Sequence, residues 1–247
     1  MLFNYTASQK IVMPLALLFI ILLGFILNFL LKNKSDKIKN IPLTTIAVLL
    51  VVLEIIKQVY HISRNTWSTW HIPIHFCSSF IFWLPFAQFS KGKIKDLAQG
   101  CALCAGILMT IVFYSDPTSI FGNACDNPFA SFSTFHTFVF HFLAVAYWIW
   151  LAIFNLYSAR LEHTYKIGCI FGIYYLVIIG SAYLFNTNYT NVLYSVNASM
   201  ETFRLKIGQV PFLIILFIAA FLGIMAISML VYLVQKLVLK IKTKYDR

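Results

Sequence analysis

The sequence predicts an all-α integral membrane protein, a bundle of seven transmembrane helices with its N-terminus outside and its C-terminus in the cytosol. Three observations predict it. Of 247 residues, 60% are hydrophobic and 11% charged, against about 25% charged in a soluble domain, so the chain lacks the polar surface to stay dissolved. Several apolar runs reach the roughly 20 residues that cross a hydrocarbon core. The lysines and arginines collect between alternate runs, as membrane topology demands. Seven spans with short loops use up nearly the whole length, so residues 1–247 read as one transmembrane domain.

The first helix is read over Ile11–Leu31. Its run is longer than the roughly 7–15-residue core of a signal peptide and carries no small-residue cleavage site, so it is expected to remain as a helix. The second, Pro42–His61, follows the basic loop Lys32–Lys39. The third is read over Ile72–Phe89, with Pro73 placed in a first turn where no backbone donor is needed. The fourth, Leu97–Tyr114, is short but able to span with help from its flanks. The fifth, sixth and seventh follow at Ser131–Leu156, Tyr165–Phe185 and Val210–Val234.

Orientation follows from the charges. With the N-terminus outside, the cytosolic side receives Lys32, Lys34, Lys37, Lys39, Lys91, Lys93, Lys95, Arg160, Lys166, Lys236, Lys240, Lys242, Lys244 and Arg247. The outer side receives only Lys10, Arg64, Arg204 and Lys206. That asymmetry is the positive-inside pattern. It also disposes of nucleic acid as the explanation of a net charge of +11, because the basic residues form no continuous surface. Trp67 and Trp70 fit an aromatic belt at the outer interface. The abundance of Phe, Ile, Lys and Asn reads as an AT-rich coding genome, and the expected location is a bacterial plasma membrane.

With topology fixed, depth follows at about 1.5 Å per residue. Glu54, Lys57, His75, Cys77 and His136 then lie in the outer half of the bundle, with His141 about a turn and a half deeper than His136. Asn186, Asn188 and Tyr189 lie at the outer end of the sixth helix. Ionisable groups inside a bilayer are costly and face a cavity or one another, so an outward-facing polar pocket is expected. Glu54, Gln58 and His61 share one helix face, and Lys57 stands one turn from Glu54. A structural ion pair that orients the bundle accounts for those two equally well.

His71 and His75 fall on one face of the third helix at a spacing that can hold a metal. A zinc site needs three or four ligands, and no motif gathers them, so no metal is expected; hydrogen bonding and proton transfer are the expected roles. Cys77, two residues after His75, points to another side of that helix. A nucleophilic Cys77 would need a base from elsewhere: His136 matches it in depth, while His141 shares a face with Thr134 and Thr137. Without such a partner, Cys77 is a small buried apolar residue. Cys101 and Cys104 form a CxxC that packing beside Gly100 and Gly106 explains. No nucleotide or dinucleotide motif is present, and no cofactor beyond a donor lipid is expected.

The run Glu54-Ile-Ile-Lys57, followed by His71-Ile-Pro-Ile-His75-Phe-Cys77-Ser78, resembles the bacterial YwaF-type integral membrane family. That family has an acidic residue in helix two and a Leu-Pro-Leu-His-Leu-Cys signature opening helix three. Phe138-Val-Phe-His141 resembles its Phe-Phe-x-x-His element, Asn186-Thr-Asn188-Tyr189 its Gly-Thr-Asn-Tyr element, and Asp116-Pro117 stands where it has Thr-Pro-Asp. The family is similar to animal transmembrane proteins that act as acyltransferases on ether phospholipids through a cysteine and a histidine. By position, the resemblance implies Cys77 as the acyl-accepting thiol and His141 as its base. The expected function is a membrane enzyme moving acyl groups between lipids, with membrane lipid as its partner. Glu54, Lys57, His71, His75, Ser78, Asn186, Asn188 and Tyr189 are the expected substrate contacts. The rival expectation is a carrier or sensor that binds a small polar molecule or a proton in the same pocket.

Overall fold

The computed structural model describes residues 5–122 and 124–245, so Arg247 lies outside it. Among the described residues every regular element is helical. The helices are α1 (Ala7–Leu31), α2 (Asp36–Lys39), α3 (Ile41–Ser63), α4 (Phe80–Phe89), α5 (Gly92–Ser115), α6 (Pro117–Phe121), α7 (Phe132–Ile153), α8 (Leu161–Leu184), α9 (Ala198–Ile207) and α10 (Gln209–Tyr245).

Local chemistry sets several ends. Thr6 Oγ1 accepts the Gln9 N–H at 3.2 Å while Gln9 Oε1 accepts the Thr6 N–H at 3.0 Å. This reciprocal cap starts α1 at Ala7, a turn before the apolar run. Ser131 and Thr134 make the same exchange at the head of α7. The last helix runs on past the expected Val234 to Tyr245, because the Lys-rich tail is made of good helix formers.

Six of these helices are long and apolar enough to cross a membrane: α1, the continuous α2–α3 stretch Asp36–Ser63, α5, α7, α8 and α10. Seven were expected, and the expected third helix is where the difference lies. The sequence pattern opens that helix at Ile72, with Pro73 in its first turn. Instead Ile72 is extended, with ψ 131°, as steric conflict with the following proline ring requires. His75 is also extended, a single 3₁₀ turn covers Phe76–Ser79, and α-helix begins only at Phe80. The apolar segment Phe76–Phe89 is shorter than a full span. It nonetheless runs back along α3: Gln58, near the end of α3, bonds the His71 carbonyl, while Thr44, near its start, bonds Gln88 at 2.9 Å.

The packing is that of a membrane bundle, with large apolar side chains such as Phe19, Phe25 and Phe29 facing outward. Helix α5 is the axis. Its Gly100, Cys101, Ala102, Cys104, Ala105 and Gly106 are buried, and small residues let neighbouring helices approach closely. A Cβ at Gly106 would overlap the Trp148 ring of α7. Helices α8 and α10 pack antiparallel: Thr164 meets Ser228, Gly168 meets Met225 and Gly172 meets Phe221. Just beyond Thr164 and Ser228, Gln235 accepts the Ala159 N–H and donates to the Tyr157 carbonyl, tying the loop before α8 to α10.

Candidate functional site

A cavity of about 580 Å³ opens among α3, the turn before α4, α5, α7, α8 and α10. Lys57, His61, His71, His75, Cys77, Ser78, His136, His141 and Asn188 all line it. Its remaining walls are largely apolar, with Met109, Phe113, Phe140, Phe171, Tyr175 and Ile224 among them. Phe171 and Ile224 stand roughly 20 Å along their helices from Leu184 and Gln209, at about 1.5 Å per residue. The cavity therefore joins a cluster of polar groups to a deep apolar recess.

The polar cluster is built from α3. Glu54, 5% exposed, accepts on Oε1 from Lys57 Nζ at 2.7 Å and from Gln58 Nε2 at 2.7 Å. Gln58 Nε2 also donates to the His71 carbonyl at 2.6 Å, and its Oε1 accepts from Trp67 Nε1 at 2.9 Å. The shared face of Glu54 and Gln58 thus pins the loop to the helix. The other carboxylate oxygen, Glu54 Oε2, has no hydrogen-bond partner and lies 3.7 Å from His136 Nε2. Glu54 stands behind the cavity wall, reached through Lys57 and His136.

The histidines do not form the arrangement their spacing promised. His71 and His75 share no helix face, because Pro73 keeps the backbone between them extended. His71 Nδ1 accepts the Ser68 N–H at 3.0 Å, and its ring stacks on His61 with centroids 3.8 Å apart. His75 Nε2 donates to the Trp70 carbonyl at 3.3 Å, and its ring meets Trp70 and Tyr189 edge-on. Among the described residues, no three His, Cys, Asp or Glu side chains gather as metal ligands would.

On α7, His136 and His141 are both buried and both line the cavity. His141 Nδ1 lies 2.6 Å from the Thr137 carbonyl. A carbonyl only accepts, so Nδ1 carries the proton and the lone pair is on Nε2. Nε2 is buried without a partner, within a ring of Phe113, Phe121 and Phe140. The orienting group is thus the Thr137 carbonyl rather than a threonine hydroxyl. Cys77 is half-buried on the cavity wall and makes no hydrogen bond to either histidine.

The Asn186–Tyr189 element serves mainly as a frame. Asn186 is exposed, outside the cavity lining, in a left-handed turn with φ 47°. Asn188 Oδ1 accepts from the Leu193 and Tyr194 amides, and its Nδ2 donates to the Tyr194 carbonyl. The Tyr189 hydroxyl donates to the Thr69 carbonyl. Thr190, which spacing did not single out, accepts the Phe76 N–H at 3.1 Å and so holds the turn that carries Cys77. Tyr174 bonds the Ile74 and His75 carbonyls from α8. Asp116, at the end of α5, also lines the cavity; its only mark in the sequence was the Asp-Pro pair.

Val196 and Asn197 complete the lining just before α9. There Glu201 accepts two hydrogen bonds from the Arg204 guanidinium, at 2.8 and 2.6 Å, and the Ser195 N–H at 2.7 Å. The arginine, and then the amide, hold its carboxyl at about 2, below the usual 4.5.

The model of the TMEM164 family matches residues 4–230. No curated protein and no solved structure matches the chain. The match extends from the head of α1 well into α10 and includes every residue of the cavity wall. By that match the chain, a multi-pass helical membrane protein, belongs to the TMEM164 family.

Proposed function

We propose that this protein is a membrane-embedded acyltransferase that uses Cys77 as nucleophile and His141 as its base to move acyl groups between phospholipids. The observation that carries the proposal is the bare, buried Nε2 of His141 in the same cavity as the Cys77 thiol. Its proton is fixed on Nδ1 by the Thr137 carbonyl, so the free nitrogen is ready to accept one. The Cys77 proton passes to that nitrogen, and the thiolate attacks the ester carbonyl of a donor lipid. As the tetrahedral intermediate collapses, the carbon–oxygen bond breaks and the departing alkoxide takes the proton from His141. An acyl thioester remains on Cys77 for delivery to an acceptor hydroxyl. The deep apolar recess suits the acyl chain, and Lys57 with the outer histidines suits a polar headgroup. His71, His75 and Ser78 join them as lipid contacts, while Asn188 and Tyr189 act through the loop they hold.

The same proposal includes seven crossings, N-terminus outside, in a bacterial plasma membrane, as for the YwaF-type proteins that the sequence resembles. The course of Phe76–Phe89 back along α3 and the basic loop after it support the extra crossing.

The test is lipid remodelling by purified protein in phosphatidylcholine vesicles with a lysophospholipid acceptor. Wild type transfers label, while Cys77→Ser and His141→Gln lose it by about 10²-fold or more and stay folded. A second reading is a carrier or sensor of a proton or small polar molecule. The buried Glu54–Lys57 pair favours it, as does the lack of a hydrogen bond from Cys77 to a histidine. Wild-type protein that is folded yet transfers no label would select it.

A further inference from the structure

We infer that Glu54 and His136 form a second, separate proton site in the cavity, one that takes the proton of the acyl acceptor. The inference rests on the acyltransferase reading and assigns its second half-reaction. Glu54 Oε1 already receives Lys57 and Gln58. Oε2 and His136 Nε2 are both buried, both without a hydrogen-bond partner, and 3.7 Å apart. A buried carboxylate oxygen with no donor is costly, and the nitrogen facing it is the donor at hand. A carboxylate only accepts, so His136 carries its proton on Nε2 and its lone pair on Nδ1. His141 is held in the opposite tautomer by the Thr137 carbonyl. The cavity therefore contains two imidazoles of different tautomer, one backed by a neutral carbonyl and the other by a carboxylate.

That difference matches the two proton transfers a transacylase must perform. A thiol, with a pKa of about 8.5, gives up its proton readily, and an imidazole backed only by a carbonyl suffices. An alcohol is far less acidic, and the imidazole that deprotonates it gains from a carboxylate that stabilises the imidazolium. In the second half-reaction the acceptor O–H bond breaks and its proton goes to His136 Nδ1. The new carbon–oxygen bond forms, the carbon–sulfur bond of the Cys77 thioester breaks, and the thiolate regains a proton from His136 through cavity water. Glu54 acts as a positioning residue, and Lys57 and Gln58 hold its other oxygen.

The test uses purified full-length protein in phosphatidylcholine vesicles with a labelled acyl chain. It compares lysophosphatidylcholine with its thiol analogue as acceptors, and measures both acyl-Cys77 and product. With His136→Gln and His136→Asn, acyl-Cys77 still forms and accumulates. Transfer to the hydroxyl falls by about 10²–10⁴-fold, and transfer to the thiol acceptor stays within a few-fold of wild type. Glu54→Gln reproduces that pattern, and Glu54→Asp restores part of the hydroxyl transfer. Monodisperse elution and a wild-type-like unfolding transition in detergent report that each variant is folded. Wild-type transfer to the hydroxyl in the His136 variants overturns the inference. So does a folded variant that loses acylation, or one that loses both acceptors equally. A wild-type protein that never carries acyl on Cys77 removes the acyltransferase reading, and this proposal with it.

Discussion

At the scale of single residues, Glu54 and Lys57 form an ion pair inside the bundle. Its side chains are 6% and 15% exposed, with 2.7 Å between nitrogen and oxygen. Removing one partner leaves an uncompensated charge in a low-dielectric interior, which costs about 3–5 kcal/mol, whereas replacing both with well-packed apolar residues is often neutral. Glu54→Ala and Lys57→Met should each lower thermal stability in detergent by that amount. The double replacement Glu54→Leu with Lys57→Met should recover most of it. Two losses that simply add would show that the residues do not act as a pair. The pair and the Gln58 contact were legible in the sequence, because i, i+3 and i, i+4 neighbours meet on any helix. The approach of Glu54 to His136 was not, since it depends on how α3 and α7 are rotated against each other. The His71–His75 pattern was legible only as an ambiguity. A proline marks the first turn of a helix and also forces its predecessor out of one, and the second effect governs here.

At the scale of elements, close packing and loop chemistry each give a test. Gly106 of α5 lies against the Trp148 ring, and overpacking a filled interface costs typically about 1–3 kcal/mol. Gly106→Ala should therefore lower the melting temperature, and adding Trp148→Phe should restore part of the loss. Restoration by no smaller ring would show that the contact is unimportant. In the outer loop, Glu201 titrates at about 2 in the folded protein against an ordinary 4.5. Its folded-state pKa is lowered, so its stabilising contribution is complete above pH 4.5 and lost as pH falls toward 2. Protection of the amides in 195–208, corrected for the intrinsic pH dependence of exchange, should fall through that window in wild type and stay level in Glu201→Gln. A level profile in wild type would contradict the role given to Arg204. Most of the long helices were legible from apolar runs of spanning length. Helices α2, α6 and α9 were not, because elements of four, five and ten residues carry too few apolar positions to show a period.

At the scale of the whole molecule, the apolar exterior, the small-residue axis along α5 and the polar cavity describe a protein whose solvent is lipid. The proposed topology predicts that a reporter at Asn65 reads as exported and one after Lys95 as cytosolic, because Phe76–Phe89 lies between them. Both reporters on one side would remove the seventh crossing. The central claim is that Cys77 carries the acyl group in transit, and it is tested by mapping covalent label. The protein is incubated in vesicles with a labelled acyl donor and no acceptor, then digested, and each cysteine peptide is weighed. Cys101, Cys104 and Cys125 are buried, so Cys169 is the half-exposed comparison. The account predicts a hydroxylamine-labile acyl adduct on Cys77, little on Cys169, and none on Cys77 when His141 is replaced by Gln. No adduct on Cys77, or equal label on Cys169, would contradict it.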